Sequence, residues 1–390
     1  MRKLVLCVAL SSALVAGCSP SPPSSEATPA TAHASGDAAA DNAFSLLSRR
    51  YLDEGLALSP VSATSIGEHR YDGDIDDLSA TGRQASLDFT RKLLTELDAI
   101  DASRLSRDNQ VDAQILRNTL QYALWDTEIL QSWAWDPQVY SSLAGGAIYS
   151  LMAREFAPMP ERLASATARI EKLPALFAQA RANLDPARVP KIHAETVARQ
   201  NAGVLVLLDT FITPNADQLS GEARSRLDAA VTALRAAVGE HQKWLDGTLV
   251  PNAKGDFRIG AQRYDEKLKF SLNASLSRDE IRSRAEAALT DIREQMYQAA
   301  KVVLKDRPGA VATPDAPSEA QRQQAIEAAL EFAYAQKPAR NEVVDFAKKT
   351  LEHATAFTRE HDLVTVPDDP VKIILMPEFQ RGVAVAYCDS

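Results

Sequence analysis

Apolar residues recur every three or four positions along most of the chain, the period of a helix with one buried face. Leu163, Ala166, Ile170, Leu173, Phe177, Ala180 and Leu184 form one such stripe. Leu227, Val231, Leu234, Val238, His241 and Leu245 form a second, and Ile281, Ala285, Ala288, Ile292, Met296, Ala299 and Val303 a third. Pro174 falls inside the first and predicts a kink or a division into two helices. Ser277 and Glu280 have the spacing of a capping box, with Leu276 placed to staple onto Ile281. Ser318 with Gln321 marks another start, running towards Tyr334 before Pro338 ends it. Further helices are expected over 42–56, 84–100, 107–131, 188–212 and 341–361, with the Pro-rich stretches 307–317 and 364–370 as loops.

The pattern changes near the end. Val371, Ile373 and Leu375 alternate with Lys372, Ile374 and Met376, a strand period. After a turn over Pro377–Gly382, Val383 to Cys388 is a second apolar run. The fold class expected is therefore mainly α: an elongated multi-helix array with a short β-strand pair at the C-terminal end. Two strands alone are marginal in water. The sequence stops at Ser390 just past the second run, so 42–390 reads as a helical domain that is C-terminally incomplete.

The N-terminus carries a different signal. Arg2 and Lys3 precede the apolar run Leu4–Ala16, and small residues follow. This describes a secretory signal. As a helix the run rises only about 20 Å against a bilayer core of about 30 Å, too short for a stable span. Val15-Ala16-Gly17-Cys18 then supplies the small residues and thiol of a lipoprotein cleavage site. The expectation is a signal peptide over 1–17, lipidation at Cys18 and a disordered tether over 18–41. Residues 19–41 are mostly Ser, Pro, Ala and Thr and have too little apolar surface to offset ordering entropy. The expected location is the cell envelope, with Ser19 after the cysteine favouring the periplasmic face of the outer membrane. With Cys7 in the signal and Cys18 lipidated, Cys388 has no intramolecular disulfide partner and reads as a small buried hydrophobe.

Losing Arg2 and Lys3 with the signal takes the net charge from −9 to −11. That argues against nucleic acid as a partner and against charge-driven adhesion to anionic lipid. Catalytic motifs are missing. The sequence has no HExxH, no GxSxG and no phosphate-binding or dinucleotide glycine loop. His353 and His361 are eight apart, not at the i, i+4 spacing of a metal pair, and read as surface residues. His241 lies on an apolar stripe and reads as a core residue; His33 in the tether has no role. Gly145-Gly146 is a turn between helices or a place of close helix packing. Two clusters are chemically rich. Gly67-Glu68-His69-Arg70-Tyr71-Asp72, leading to Asp74, Asp76 and Asp77, is a solvated helix end capped by Gly67 or a substrate-facing loop. Trp125, Trp133, Trp135, Tyr140 and Tyr149 gather near an interhelical loop, as core or as the lining of a peptide or sugar groove.

Several segments, in order, resemble a known family. Gly67 to Asp72, continuing to Leu78-Ser79, is similar to the early signature of the bacterial domain of unknown function 885. Arg169 to Leu176, continuing through Ala182-Asn183-Leu184, resembles its central helix motif. Ile259-Gly260-Ala261 to Tyr264, with Leu276 to Ile281, resembles its next block. Met376-Pro377-Glu378 and Ala384 to Tyr387 resemble the strands before its active-site-like segment. The resemblance implies a helical lipoprotein distantly similar to zinc carboxypeptidases, whose His-Glu metal motif follows the last matched strand. It implies no metal or cofactor site in these 390 residues, with zinc only in a longer form. It also implies a possible peptide substrate held by helical walls. The alternative is a non-catalytic helical binding or scaffold lipoprotein.

Overall fold

In the computed structural model, residues 36–382 and 386 are described. The signal-like segment 1–17, Cys18, His33 and Cys388 lie outside the described residues.

Asp37 accepts the Ala39 amide and starts α1 (Ala38–Gly55). The short α2 (Pro60–Ser65) follows, and Gly67, with φ of +88°, ends it as expected. Next come α3 (Ala80–Asp98) and α4 (Arg107–Trp125), which close with α1 around Phe44, Leu47, Leu93, Leu97 and Leu120. A π turn over Asp126–Leu130 prolongs α4, so the segment expected over 107–131 is helical in two geometries.

The largest core lies further along the chain. After the one-turn α5 (Ser132–Trp135), it is built from α6 (Gln138–Met152), α7 (Met159–Asn183), α8 (Lys191–Gln200), α9 (Gly203–Leu207) and α10 (Gly221–Trp244). In this core α7 packs against both α6 and α10. The α6 helix had no sequence signature because Tyr140, Ala144, Ala147, Ile148, Leu151 and Met152 bury it on several sides. A helix apolar all round shows no period to detect. Pro174 neither divides nor ends α7, which is one helix of 25 residues. Leu173, Leu176 and Phe177 are buried on both sides of the proline and hold the turn closed against a penalty of roughly 3 kcal/mol.

The remaining helices are α11 (Val250–Asn252), α12 (Ala261–Leu272), α13 (Arg278–Leu304), α14 (Glu319–Tyr334) and α15 (Val343–Glu360). A small core of Tyr297, Ala300, Leu304, Ala325 and Ile326 joins α13 to α14. The capping box before α14 is complete: Ser318 Oγ accepts the Gln321 amide at 3.3 Å, and Gln321 Oε1 accepts the Ser318 amide at 2.9 Å. The one before α13 is half-formed, because Glu280 turns forward to Arg284 and only the Ser277 hydroxyl caps.

The expected C-terminal strand pair is not there. Among the described residues there is no β-strand; the bridge positions are Pro190 with Gly255, and Arg381. Val371 to Pro377 has no regular structure, and Val371, Ile374 and Leu375 are exposed. Alternation gives a segment the means to be a strand, but a ladder partner makes it one. No described segment pairs with it, and most of the second run, 383–388, lies outside the described residues. The architecture is an almost entirely helical array.

Candidate functional site

Arg169 sits on the apolar stripe of α7 and is fully buried. Its five N–H groups all find acceptors. Nε donates to the Asp74 carbonyl at 2.8 Å, and Nη1 to the Ala147 carbonyl at 3.1 Å and Ser150 Oγ at 3.2 Å. Nη2 donates to the Pro60 carbonyl at 3.0 Å and Thr64 Oγ1 at 2.6 Å. Burial pulls the guanidinium pKa down to about 10, while Asp72, Asp76 and Asp74 favour the charge. It therefore remains a cation at neutral pH. Burial likewise pushes the Asp76 carboxyl up, although the Val61 amide donates to it at 3.2 Å. One cation thus ties α2, α6, α7 and the acidic loop into a single polar node.

From this node a relay reaches the surface. Thr64 accepts from Arg169 and donates to Asp72 Oδ1 at 2.6 Å. The other Asp72 oxygen faces His69 Nδ1 at 2.9 Å. The imidazole stacks on Phe156 with ring centroids 3.7 Å apart. A carboxylate on Nδ1 holds the proton there and leaves Nε2 as the lone-pair nitrogen of neutral His69. Below the node the same face of α7 continues to grip the loop. Lys172 donates to the Gly73 carbonyl at 2.7 Å and pairs with Asp74. Gln179 accepts the Leu78 amide at 3.0 Å and donates to Asp77 at 2.9 Å. Asn183 donates to the Leu78 carbonyl at 2.7 Å. Residues 169, 172, 179 and 183 share one helical face, so loop 72–78 is laid along α7.

The two sequence segments singled out at 67–79 and 169–184 are therefore the two halves of one clasp. The loop is neither a solvated helix end nor a free substrate loop. In the sequence Arg169 stands out only as part of the segment Arg169 to Leu176. An arginine between Ala166 and Ile170 on a buried stripe was the signal that could have found it, since a fully buried charge must be paired.

The aromatic cluster disperses. Tyr140 is core, its hydroxyl donating to the Trp133 carbonyl at 2.7 Å. Arg83 lies over the Trp133 ring at 3.7 Å, Trp135 faces His193, and Trp125 donates to Glu266 on α12. Tyr149 packs against Phe211 and Phe379. Phe379 is buried, brought there by the one-turn segment Glu378–Gln380. Gly145 lies within α6 and makes room for it: a Cβ there would stand 2.3 Å from the Phe379 ring. Close packing is thus the reason for a glycine at 145. Gln200 Nε2 donates to the Arg381 carbonyl at 2.7 Å and locks the same segment.

The histidines do not converge. Among the described residues no three His, Cys, Asp or Glu side chains could hold a metal ion. His193 pairs with Asp136 at 3.2 Å, and His353 and His361 are exposed on and just beyond α15. His241 is a core residue as expected, stacked between Phe177 and Trp244, with Nδ1 lacking a hydrogen-bond partner. Burial, helped by the nearby Arg181 charge, lowers its pKa to about 4. Above the ordinary value of 6.5 the ring is neutral folded and unfolded. Below it the unfolded chain binds a proton that the folded one refuses, so stability falls from pH 6.5 down to about 4. Between pH 7.5 and 5 this loss is about 2 kcal/mol. Unfolding free energies from urea titrations at the two pH values should differ by that amount less in His241→Phe than in the parent.

No curated protein matches the chain. Among solved structures it is similar to a Shewanella oneidensis protein described as a "putative lipoprotein of unknown function", with a TM-score of 0.67 at 24% identity. The match covers 83% of this chain but only 59% of that one. The node, the clasp and the Phe379 segment all fall within residues 60–390, which match the family model of bacterial proteins of unknown function, DUF885. The chain belongs to that family.

Proposed function

We propose that the chain is a helical body of a lipid-anchored envelope protein, tethered through Cys18, that holds a further polypeptide on the apolar face of α15. The observation that carries this reading is the state of that helix. Val343, Phe346, Ala347, Leu351, Ala354 and Phe357 fall on one side of α15, yet the helix has no buried residue. Val343, Phe346 and Phe357 are about half exposed. An amphipathic helix gains most of its stability from packing that face. The match covers 59% of the Shewanella oneidensis protein, and the occupant proposed is polypeptide of the kind that makes up the rest of it. The Cys18 signal and the description of that relative support the lipid anchor.

The chemistry proposed for such an assembly is peptide hydrolysis of the zinc-dependent type, resting on the segment-by-segment resemblance alone. The described residues do not fit zinc. His69 is engaged by Asp72, His241 is enclosed by aromatic rings, and neither has two further ligands beside it. What this chain contributes is rigidity, from the Arg169 clasp and the Phe379 lock. The test is a pair of substitutions, Phe346→Asp with Phe357→Asp. In the 390-residue chain both sites are open, so stability should stay within about 0.5 kcal/mol of the parent. In the product of the complete open reading frame the same change should cost about 2 kcal/mol or more, because it buries carboxylates in an apolar contact. A small effect in both would overturn the docking role.

A further inference from the structure

Between α4 and α12 lies a groove of about 600 Å³ that none of the preceding roles uses. Its α4 wall is Gln114, Asn118, Gln121 and Trp125, four positions on one helical face. A face turned towards a neighbouring helix is ordinarily apolar; this one is lined with amides. Across from it α12 supplies Glu266, Lys269 and Phe270. We propose that this groove binds a neutral oligosaccharide.

The lining selects that chemistry step by step. Gln114 and Gln121 are exposed, and no hydrogen bond among the described residues holds either amide. Each therefore offers a donor and an acceptor to whatever enters. Asn118 is fixed by donating to the Phe270 carbonyl at 2.9 Å, and the Trp125 indole by donating to Glu266 at 2.7 Å. Trp125 and Phe270 line the groove with ring centroids 5.8 Å apart and give it an aromatic base, packed against Tyr122 outside it. Pyranose rings present apolar C–H faces and a rim of hydroxyls that both donate and accept, and they match an aromatic base flanked by amides. A single carboxylate and a single ammonium balance each other, so the groove selects for neither a phosphate nor a cation. A peptide is less well served, because helical walls offer no open strand edge and the amides are wrong for an amphipathic helix. Roughly two or three sugar units suit a site in the common size range of ligand pockets.

The experiment is a calorimetric titration of the mature protein with chitotriose and, separately, maltotriose, with trialanine as the peptide control. It is repeated on the double variant Gln114→Ala, Gln121→Ala. Both side chains are exposed and outside the cores, so the variant keeps the parent's circular dichroism and thermal midpoint. The expected result is saturable binding of at least one trisaccharide, weakened about tenfold or more in the variant by loss of the two amides. Absence of saturable binding to both trisaccharides would overturn the proposal. So would equal affinity in parent and variant, or binding of trialanine alone.

Discussion

Arg169→Met should lower the stability of the folded chain by about 4 kcal/mol, the range seen when one partner of a buried charge network is removed. Methionine fills much of the same volume, so the loss comes from polarity rather than from a cavity. It leaves the Pro60, Asp74 and Ala147 carbonyls without the donor they share and the half-buried Asp76 carboxyl without a nearby cation. Arg169→Lys should recover little, because one ammonium cannot serve acceptors spread over α2, α6 and the loop. The contrast is Arg235→Met. Arg235 pairs with Asp209 on the surface, where both side chains are exposed, and that pair is worth less than about 1 kcal/mol. Urea titrations of the three variants check this through their midpoints, with slopes unchanged if unfolding remains two-state.

Phe379→Ala should cost about 3–5 kcal/mol in the docking of residues 376–381, since the ring is almost wholly buried against α6 and α9. Gly145→Ala attacks the same contact from the other side, placing a methyl group 2.3 Å from the ring. The two changes undo one contact, so their effects should not add. Limited proteolysis between Val371 and Arg381 reports the outcome. Each single variant should be cut faster than the parent, and the double variant hardly faster than the singles. Additive rates would mean that Phe379 and Gly145 act separately.

What could be seen in the sequence follows from which forces leave a local trace. The stripes of α7 and α10 were legible because each helix has one buried and one wet face; on α13 the helix was legible but its face was not, since Ile292 and Met296 of the stripe are exposed and Tyr297, Ala300 and Leu304 are the buried residues. The box at Ser318 was legible because capping is satisfied within four residues. At Ser277 the same spacing gave only half a box, since Glu280 had Arg284 as a competing partner one turn on. The α6 helix left no period because it is buried on several sides, and of the two readings of its aromatic residues, core or groove lining, the buried Tyr140 and Tyr149 fit the core. The strand pair was the largest error: alternation at 371–376 is a local property, whereas a ladder needs a second segment that the local pattern cannot supply. At the site, sequence reading located both halves of the clasp but not their contact. Asp72 and Thr64 meet Arg169 about a hundred positions away, and no local rule pairs them. The readings of His241 as core and Gly67 as a cap needed only their nearest neighbours and agree with the structure.

The docking of α15 is tested most directly by hydrogen exchange of its backbone amides, 343–360, in the 390-residue chain and in the product of the complete open reading frame. An amphipathic helix with an uncovered face opens locally at little cost, whereas a covered one exchanges only through larger unfolding. Exchange is expected to be fast in the 390-residue chain and at least about a hundredfold slower in the complete product. Equal rates in the two would contradict the claim that this face exists to hold a further part of the protein.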